Sequence, residues 1–365
     1  MDLLQIGGLL LLIMILLLSG GVWIAMTLAI VGWVGQAFFT TTLPAKVPGR
    51  LMHTTILGCG IFGSVSGSSA ATCATIAKVA LPELERRGYN RDIALGSLAA
   101  AGGLGILIPP SITMVVYAVA ADASVIRLFL AGFLPGFLLM ALFSGYIIWW
   151  SLRHPDQVPP AEPPSSFWHK IKRSGSLIPC SLLIVFIVWV LVAGIATATE
   201  CAAYGVLGSL AIAAAGRTLT WDNFWQGLIG ATRVSCMIMF ILAGAAFLTK
   251  TMAFTGIPKA LAEAVAAADL SPYSLIAVLV VVYLILGTAL DGISMIVLTS
   301  AVVLPMIQKA GFDLIWFGIF IIMLVEIAEV SPPVGFNLFV LQNMTGIDSN
   351  RIARVTLPFF FCMLV

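Results

Sequence analysis

Several stretches of this 365-residue sequence run for more than twenty residues without a charged side chain, among them the residues after Asp2 up to Ala45, Ile93 to Ala121, and Leu177 to Thr199. A helix of roughly 20 apolar residues crosses the bilayer core, so each stretch is long enough to do so. The whole chain is 61% hydrophobic and 9% charged, against roughly 25% charged for a soluble domain. Its sequence therefore predicts an all-α integral membrane protein with many crossings.

The formal net charge of +2 is too small to imply a nucleic-acid partner. The six cysteines (Cys59, Cys73, Cys180, Cys201, Cys236 and Cys362) contain no CxxC pair and mostly lie in apolar runs, as small buried hydrophobes do. His53, His154 and His169 fall at segment ends or in the polar stretch, where no buried histidine site is expected. The N-terminus lacks the basic start and cleavage site of a secretory signal and reads as a retained anchor.

One stretch is polar. Residues 151–176 carry five prolines and then His169, Lys170, Lys172 and Arg173, and read as a linker on the cytoplasmic side by the positive-inside rule. The segments on either side resemble one another. LPELERRGYN at 81–90 and LPMIQKAGFD at 304–313 share a frame in which Pro82 and Pro305 are 223 positions apart. The same offset of 223 carries Gly88 to Gly311, Tyr89 to Phe312, and Pro109–Pro110 to Pro332–Pro333 without a gap. Counting crossings between the two copies places the arginine-rich loop at 83–92 inside and its lysine-poor counterpart outside. The copies are then inverted, as in many secondary transporters.

Within each copy, two short segments interrupt the apolar runs: Ser66-Gly67-Ser68-Ser69 and Gly102-Gly103 through Pro109-Pro110-Ser111 in the first, Thr288 through Asp291-Gly292 with Ser294 and Ser331-Pro332-Pro333 with Gly335 and Asn337 in the second. Met52–Val65 and Ala70–Leu81 read as arms too short to cross, joined at a serine tip. Tyr273–Gly287 and Met295–Met306 form the matching pair around Asp291. Two re-entrant hairpins result. Proline cannot donate its backbone hydrogen bond, so each Pro-Pro pair is expected to break its helix and free carbonyl groups. Free backbone is tolerated in a membrane only against protein or water, and two tips and two breaks at one depth therefore predict a shared polar cavity.

Carbonyl and hydroxyl oxygens in such a cavity suit Na⁺, and the positive ends of half-helices suit a carboxylate. Any one small residue there is as readily explained by close helix packing. Asp291 is a carboxylate inside a membrane segment, which is costly and points to function, with capping of a half-helix as the alternative. Glu326 and Glu329, three apart on one helix face, could bind a coupling ion or a proton, or pair with a basic residue elsewhere. Arg233 and Lys250 flank an apolar run and read as interfacial anchors.

The segments GCGIFGSVSGSSAATCATIAKVALPELERRGYNRDIALGSLAAAGGLGILIPPSITMVVYAVAADAS, LDGIS and EVSPPVGFNLFVLQNMTG resemble the large membrane subunit of the tripartite ATP-independent periplasmic (TRAP) transporters, from about Val47 onward. That resemblance implies an elevator-type symporter carrying a small organic acid with Na⁺ in the bacterial inner membrane. It implies two protein partners, a small four-helix membrane subunit and a periplasmic substrate-binding protein. It implies no organic cofactor. Carried over by position, Ser66, Ser68, Ser69, Pro109, Pro110, Ser111, Pro332, Pro333 and Asn337 would line the substrate site. Ser66, Gly67, Thr72, Gly103, Thr288, Asp291, Gly292, Ser294 and Glu326 would hold Na⁺.

The expected division is an N-terminal scaffold at 1–49, shorter than in that family; a first repeat core at 50–126; a membrane helix at 127–150; the linker at 151–176; scaffold helices at 177–254; an interfacial arm helix at 255–270; a second repeat core at 271–349; and the start of a final helix at 350–365. The nearest rival function is a proton-coupled anion carrier without a binding protein. An intramembrane serine protease would need a base near Ser66, and no histidine lies in an apolar run. A channel is disfavoured by paired tips that suit an occluded site.

Overall fold

A computed structural model describes residues 49–159, 177–256, 271–287, 290–331 and 335–364. The first repeat opens with α1 (Arg50–Ser66) and α2 (Ser69–Arg86), which pack against each other around the serine tip. Gly67 ends α1 with φ at 61°, a left-handed conformation open to glycine without a Cβ penalty. Ser68 then caps α2 by accepting from the Ala71 N–H. Next come α3 (Arg91–Gly102), the single turn α4 (Leu104–Leu107) and α5 (Ile112–Ala120), the last bent by 47° from the axis before it. Pro109 and Pro110 sit in that break, as expected, because neither can donate into a helix.

The long α6 (Val125–Arg153) leads out of the first repeat. It is followed by α7 (Leu177–Val192), α8 (Ala198–Ala215) and α9 (Trp221–Thr255). The second repeat is α10 (Pro272–Leu286), α11 (Gly292–Lys309), α12 (Leu314–Glu329), α13 (Phe336–Thr345) and α14 (Ser349–Met363).

The 223-residue offset holds in three dimensions: it maps Ser69–Arg86 onto Gly292–Lys309 end to end. Gly88 and Gly311, which follow these two helices, share a φ of 83°. Asn90 and Asp313 then cap α3 and α12 in the same way, each accepting from the N–H groups two and three residues on.

One expectation is corrected. The second arms do not end at Leu81 and Met306: α2 continues through Pro82 to Arg86, and α11 through Pro305 to Lys309. Proline deletes one intrahelical hydrogen bond without ending the helix when the turns on either side are held, and at 18 residues each arm is about 27 Å long. By length and composition α11 is itself one of four described helices able to cross a membrane, with α6, α8 and most of α9, or five counting the bent pair α3–α5. Arg233 and Lys250 both lie within α9, which runs unbroken from Trp221 to Thr255. The expected arm helix falls mostly at 257–270, outside the described residues.

The buried core joins the two repeats, with Tyr117, Phe143, Tyr283, Phe317 and Phe359 among its largest fully buried side chains. Tyr117 on α5 donates a 2.7 Å hydrogen bond to the Leu314 carbonyl at the start of α12. By contrast α7, α8 and α9 present apolar side chains outward along most of their length, including Leu182, Phe186, Val206, Phe240 and Phe247. Apolar helices of this length, exposed on the outside of the chain, make this a multi-pass membrane protein.

Candidate functional site: two tips and two helix breaks

The first tip is internally bonded. Ser66 and Thr72 hydroxyls meet at 2.6 Å, Thr72 also donates to the Ser68 carbonyl at 2.8 Å, and both bonds close the turn at Gly67. The tip rests on the first helix break, since a Cβ built on Gly67 would fall 2.8 Å from the Ile112 side chain. Ser111, buried, donates to the Ile106 carbonyl at 2.6 Å and caps α5. That bond recovers one of the carbonyls freed by Pro109–Pro110.

In the second repeat, Asp291 accepts from the Ser294 N–H and caps α11, which is the structural alternative foreseen for it. Thr288, Pro332 and Pro333 lie outside the described residues. α12 stops at Glu329 and α13 starts at Phe336, so the second break brackets the two prolines.

Close approach of these elements depends on missing side chains. A Cβ on Gly102 would lie 2.7 Å from the Cys73 Cβ, one on Gly103 2.6 Å from Glu326 Oε1, and one on Gly292 3.1 Å from Glu329 Oε1. Glycines at these helix surfaces let the backbones of α3 and α11 touch the acidic end of α12.

A chain of hydrogen bonds then crosses both repeats. Asn337, fully buried on α13, donates at 3.2 Å to the Ala99 carbonyl of α3 and at 2.7 Å to the Ser69 hydroxyl of α2. Three elements, α13, α3 and α2, are linked through the Asn337 and Ser69 side chains. The Glu329 carboxylate of α12 lies against Gly292 of α11, where it closes the acidic end of α12 onto the second tip. Gly292 is the first residue of α11, so the positive end of that helix faces the Glu329 carboxylate.

Beyond these bonds, acceptor oxygens remain. Glu326 Oε1 and Oε2, Glu329 Oε2 and Asn337 Oδ1 are buried with no hydrogen-bond partner among the described residues. Glu326 and Glu329 are only 1% and 4% exposed. Burying an unpaired carboxylate costs several kcal/mol, so the cluster is chemically a receptor for a positive charge. Among the described residues no three His, Cys, Asp or Glu side chains group as metal ligands, and the donor set is of oxygens only, which suits a hard cation.

Of the sequence-derived site residues, Ser66, Gly67, Ser68, Ser69 and Thr72 form one tip; Gly103 and Glu326 touch; Asp291, Gly292 and Ser294 open α11; and Asn337 reaches the first tip. Sequence reading left Glu329 out of the site, though its spacing from Glu326 was a usable signal. It also missed the Ala99 carbonyl, for which the side-chain pattern holds no sign.

Residues 39–365 match the family model described as "Tripartite ATP-independent periplasmic transporter, DctM component". The chain is 33% identical over 328 residues to the C4-dicarboxylate TRAP transporter large permease protein DctM of Pseudomonas aeruginosa, covering 90% of this chain and 76% of that one. It is 31% identical to the protein of the same name from Rhodobacter capsulatus, covering 89% and 77%. To the isethionate TRAP transporter permease protein DctMQ of Oleidesulfovibrio alaskensis it is 30% identical, covering 87% of this chain and 50% of that longer one. These relatives are named as transporter permeases and not as enzymes. On a match spanning the tips, the breaks and most of the length, the chain belongs to the DctM component family of tripartite ATP-independent periplasmic transporters.

Proposed function

We propose that the chain is the large transport subunit of a Na⁺-coupled symporter for small organic acids in the bacterial inner membrane, working by an elevator mechanism. The observation that carries the reading is the set of four unpartnered, buried acceptor oxygens on Glu326, Glu329 and Asn337, set where both repeats converge. An oxygen-lined site with two buried carboxyl groups attracts a cation, and a coupling ion supplies one that can leave again.

In this reading Na⁺ is held from the oxygens of Ser66, Thr72, Thr288, Asp291, Ser294 and Glu326 and from backbone at Gly67, Gly103 and Gly292. Ser66, Ser68, Ser69, Ser111 and Asn337, with the backbone freed around Pro109, Pro110, Pro332 and Pro333, face the acid. The positive ends of α2 and α11 add to its attraction. Inverted re-entrant hairpins with broken helices give a cavity that one body can carry across the membrane. The relatives' names support organic acids as the substrate class, C4-dicarboxylates in two of them and isethionate in a third. The partners are a small membrane subunit and a periplasmic binding protein; the DctMQ relative carries two component letters in one chain's name.

The test is uptake of labelled succinate and isethionate into proteoliposomes holding this chain with its small subunit and binding protein. An inward Na⁺ gradient is expected to drive accumulation, and Glu326→Gln to abolish it. Accumulation driven equally by a proton gradient with choline replacing Na⁺ would favour the proton-coupled rival.

A further inference from the structure

A cavity of about 250 Å³ lies away from the tips and breaks, where Asp92 of α3 and Val355 of α14 meet Tyr146, Trp150, His154 and Gln157 at and just after the end of α6. Its depth follows from α6, which is long and apolar enough to cross a membrane and ends at Arg153. The Arg153 guanidinium lies 4.6 Å over the Trp149 ring, and Trp and Arg in the last turn of a span sit at headgroup level. One part of the lining is aromatic: Trp150 and His154 stack with centroids 4.9 Å apart, and Tyr146 stands edge-on to Phe359 at 4.9 Å. Among the described residues that line the cavity, Asp92 is the one acid and none is Lys or Arg. Arg351 pairs with Asp92 Oδ1 at 3.0 Å, and both side chains stay partly exposed. Gln157 accepts from Asn90 at 2.7 Å through Oε1, which leaves its NH₂ as a donor.

We propose that this cavity binds the headgroup of a phosphatidylethanolamine lipid, with its ammonium against Asp92, Tyr146 and Trp150 and its phosphate toward Arg351 and Gln157. A carboxylate beside aromatic rings attracts an ammonium group and accepts its N–H bonds. The guanidinium paired with that carboxylate, and the neighbouring amide NH₂, suit phosphate oxygens. An acid and a base held side by side thus match a headgroup that carries one charge of each sign a few bonds apart. A phospholipid is the occupant because the cavity opens at the edge of the bilayer and Leu357 and Phe361, deeper along α14, are exposed apolar side chains for its chains to cover. Bound there, the lipid bridges α3, α6 and α14.

The experiment is native mass spectrometry of the full chain, stripped of lipid in detergent and titrated with dioleoyl phosphatidylethanolamine or dioleoyl phosphatidylglycerol. The wild type should bind one ethanolamine lipid about tenfold more tightly than the glycerol lipid, the scale of one charge-assisted hydrogen bond. Asp92→Asn and Trp150→Leu should each remove that preference and leave binding of the glycerol lipid unchanged. Asp92→Asn also frees Arg351, whereas Trp150 has no part in that ion pair, so the two variants separate the headgroup from the pair. Should the stripped chain or a variant not stay folded, melting temperatures in phosphatidylglycerol nanodiscs with and without phosphatidylethanolamine make the same comparison. Equal binding of the two lipids by the wild type, or an unchanged preference in both variants, overturns the site. Glycerophosphoethanolamine, the same headgroup without chains, should compete only at far higher concentration, and competition as strong as that of the lipid would overturn a lipid as the occupant.

Discussion

Gly103 and Glu326 touch across the two repeats: a Cβ built on Gly103 would lie 2.6 Å from Glu326 Oε1. Gly103 is the seam between α3 and α4, and Glu326 lies on α12 near its end. The carboxylate occupies a slot that exists because position 103 has no side chain.

Gly103→Ala should therefore destabilise the chain by about 1–3 kcal/mol, the usual cost of overpacking. Truncation of Glu326 to Ala removes the opposing atoms, so the double variant should be more stable than the two single losses added together. Denaturation midpoints of the four proteins test this as a double-mutant cycle. Additive losses would mean that the two residues do not share a slot.

Asn337 donates to Ser69 at 2.7 Å and to the Ala99 carbonyl at 3.2 Å in a fully buried setting. Asn337→Leu leaves both acceptors unpaired, and about 1–3 kcal/mol of stability should be lost. Ser69→Ala on that background should cost less than on the wild type. Equal costs on both backgrounds, read from the same midpoints, would separate the two residues.

Gly88 and Gly311 share a φ of 83°, and nothing lies within 4 Å of a Cβ built on either. Replacement by Ala at each then costs backbone strain alone, about 1–2 kcal/mol. Equal losses at the two sites are expected from the repeat, and a loss at one only would break the correspondence there.

The pH response of the exposed end of α2 follows from Glu83. Hydrogen bonds from Arg86 and Arg87, with their charge, lower its pKa to about 2. A lowered folded-state pKa contributes stability that is fully present above the unfolded Glu value and is lost as pH falls toward about 2. Glu83→Gln should thus cost a small amount of stability above pH 5, small because exposed pairs are weak, and the difference from wild type should shrink to nothing as pH falls toward about 2. The decline should also shrink in high salt.

Much of this organisation was readable from residue order. The 223-residue offset foretold the matching helix bounds, because a Gly and three Pro in register constrain backbone at fixed positions. Aspartate at 291 offered a helix start, since it is a capping residue. Other features depend on distant contacts. Pro82 reads as a helix end until the packed turns around it are known. Glu329 carries no local mark of its surroundings, and only the fold brings Gly292 to it from 37 residues away. The slot at Gly103 likewise depends on where α12 packs, which no local pattern encodes.

Labelling of the two tips measures their convergence on one ion site most directly. In a chain with its native cysteines replaced, Ser68→Cys and Ser294→Cys should each react with a small maleimide, both side chains being partly exposed. Addition of Na⁺, but not of choline, should slow both reactions over the same concentration range. Protection of one tip with the other unchanged, or of neither, would contradict a shared site between the repeats.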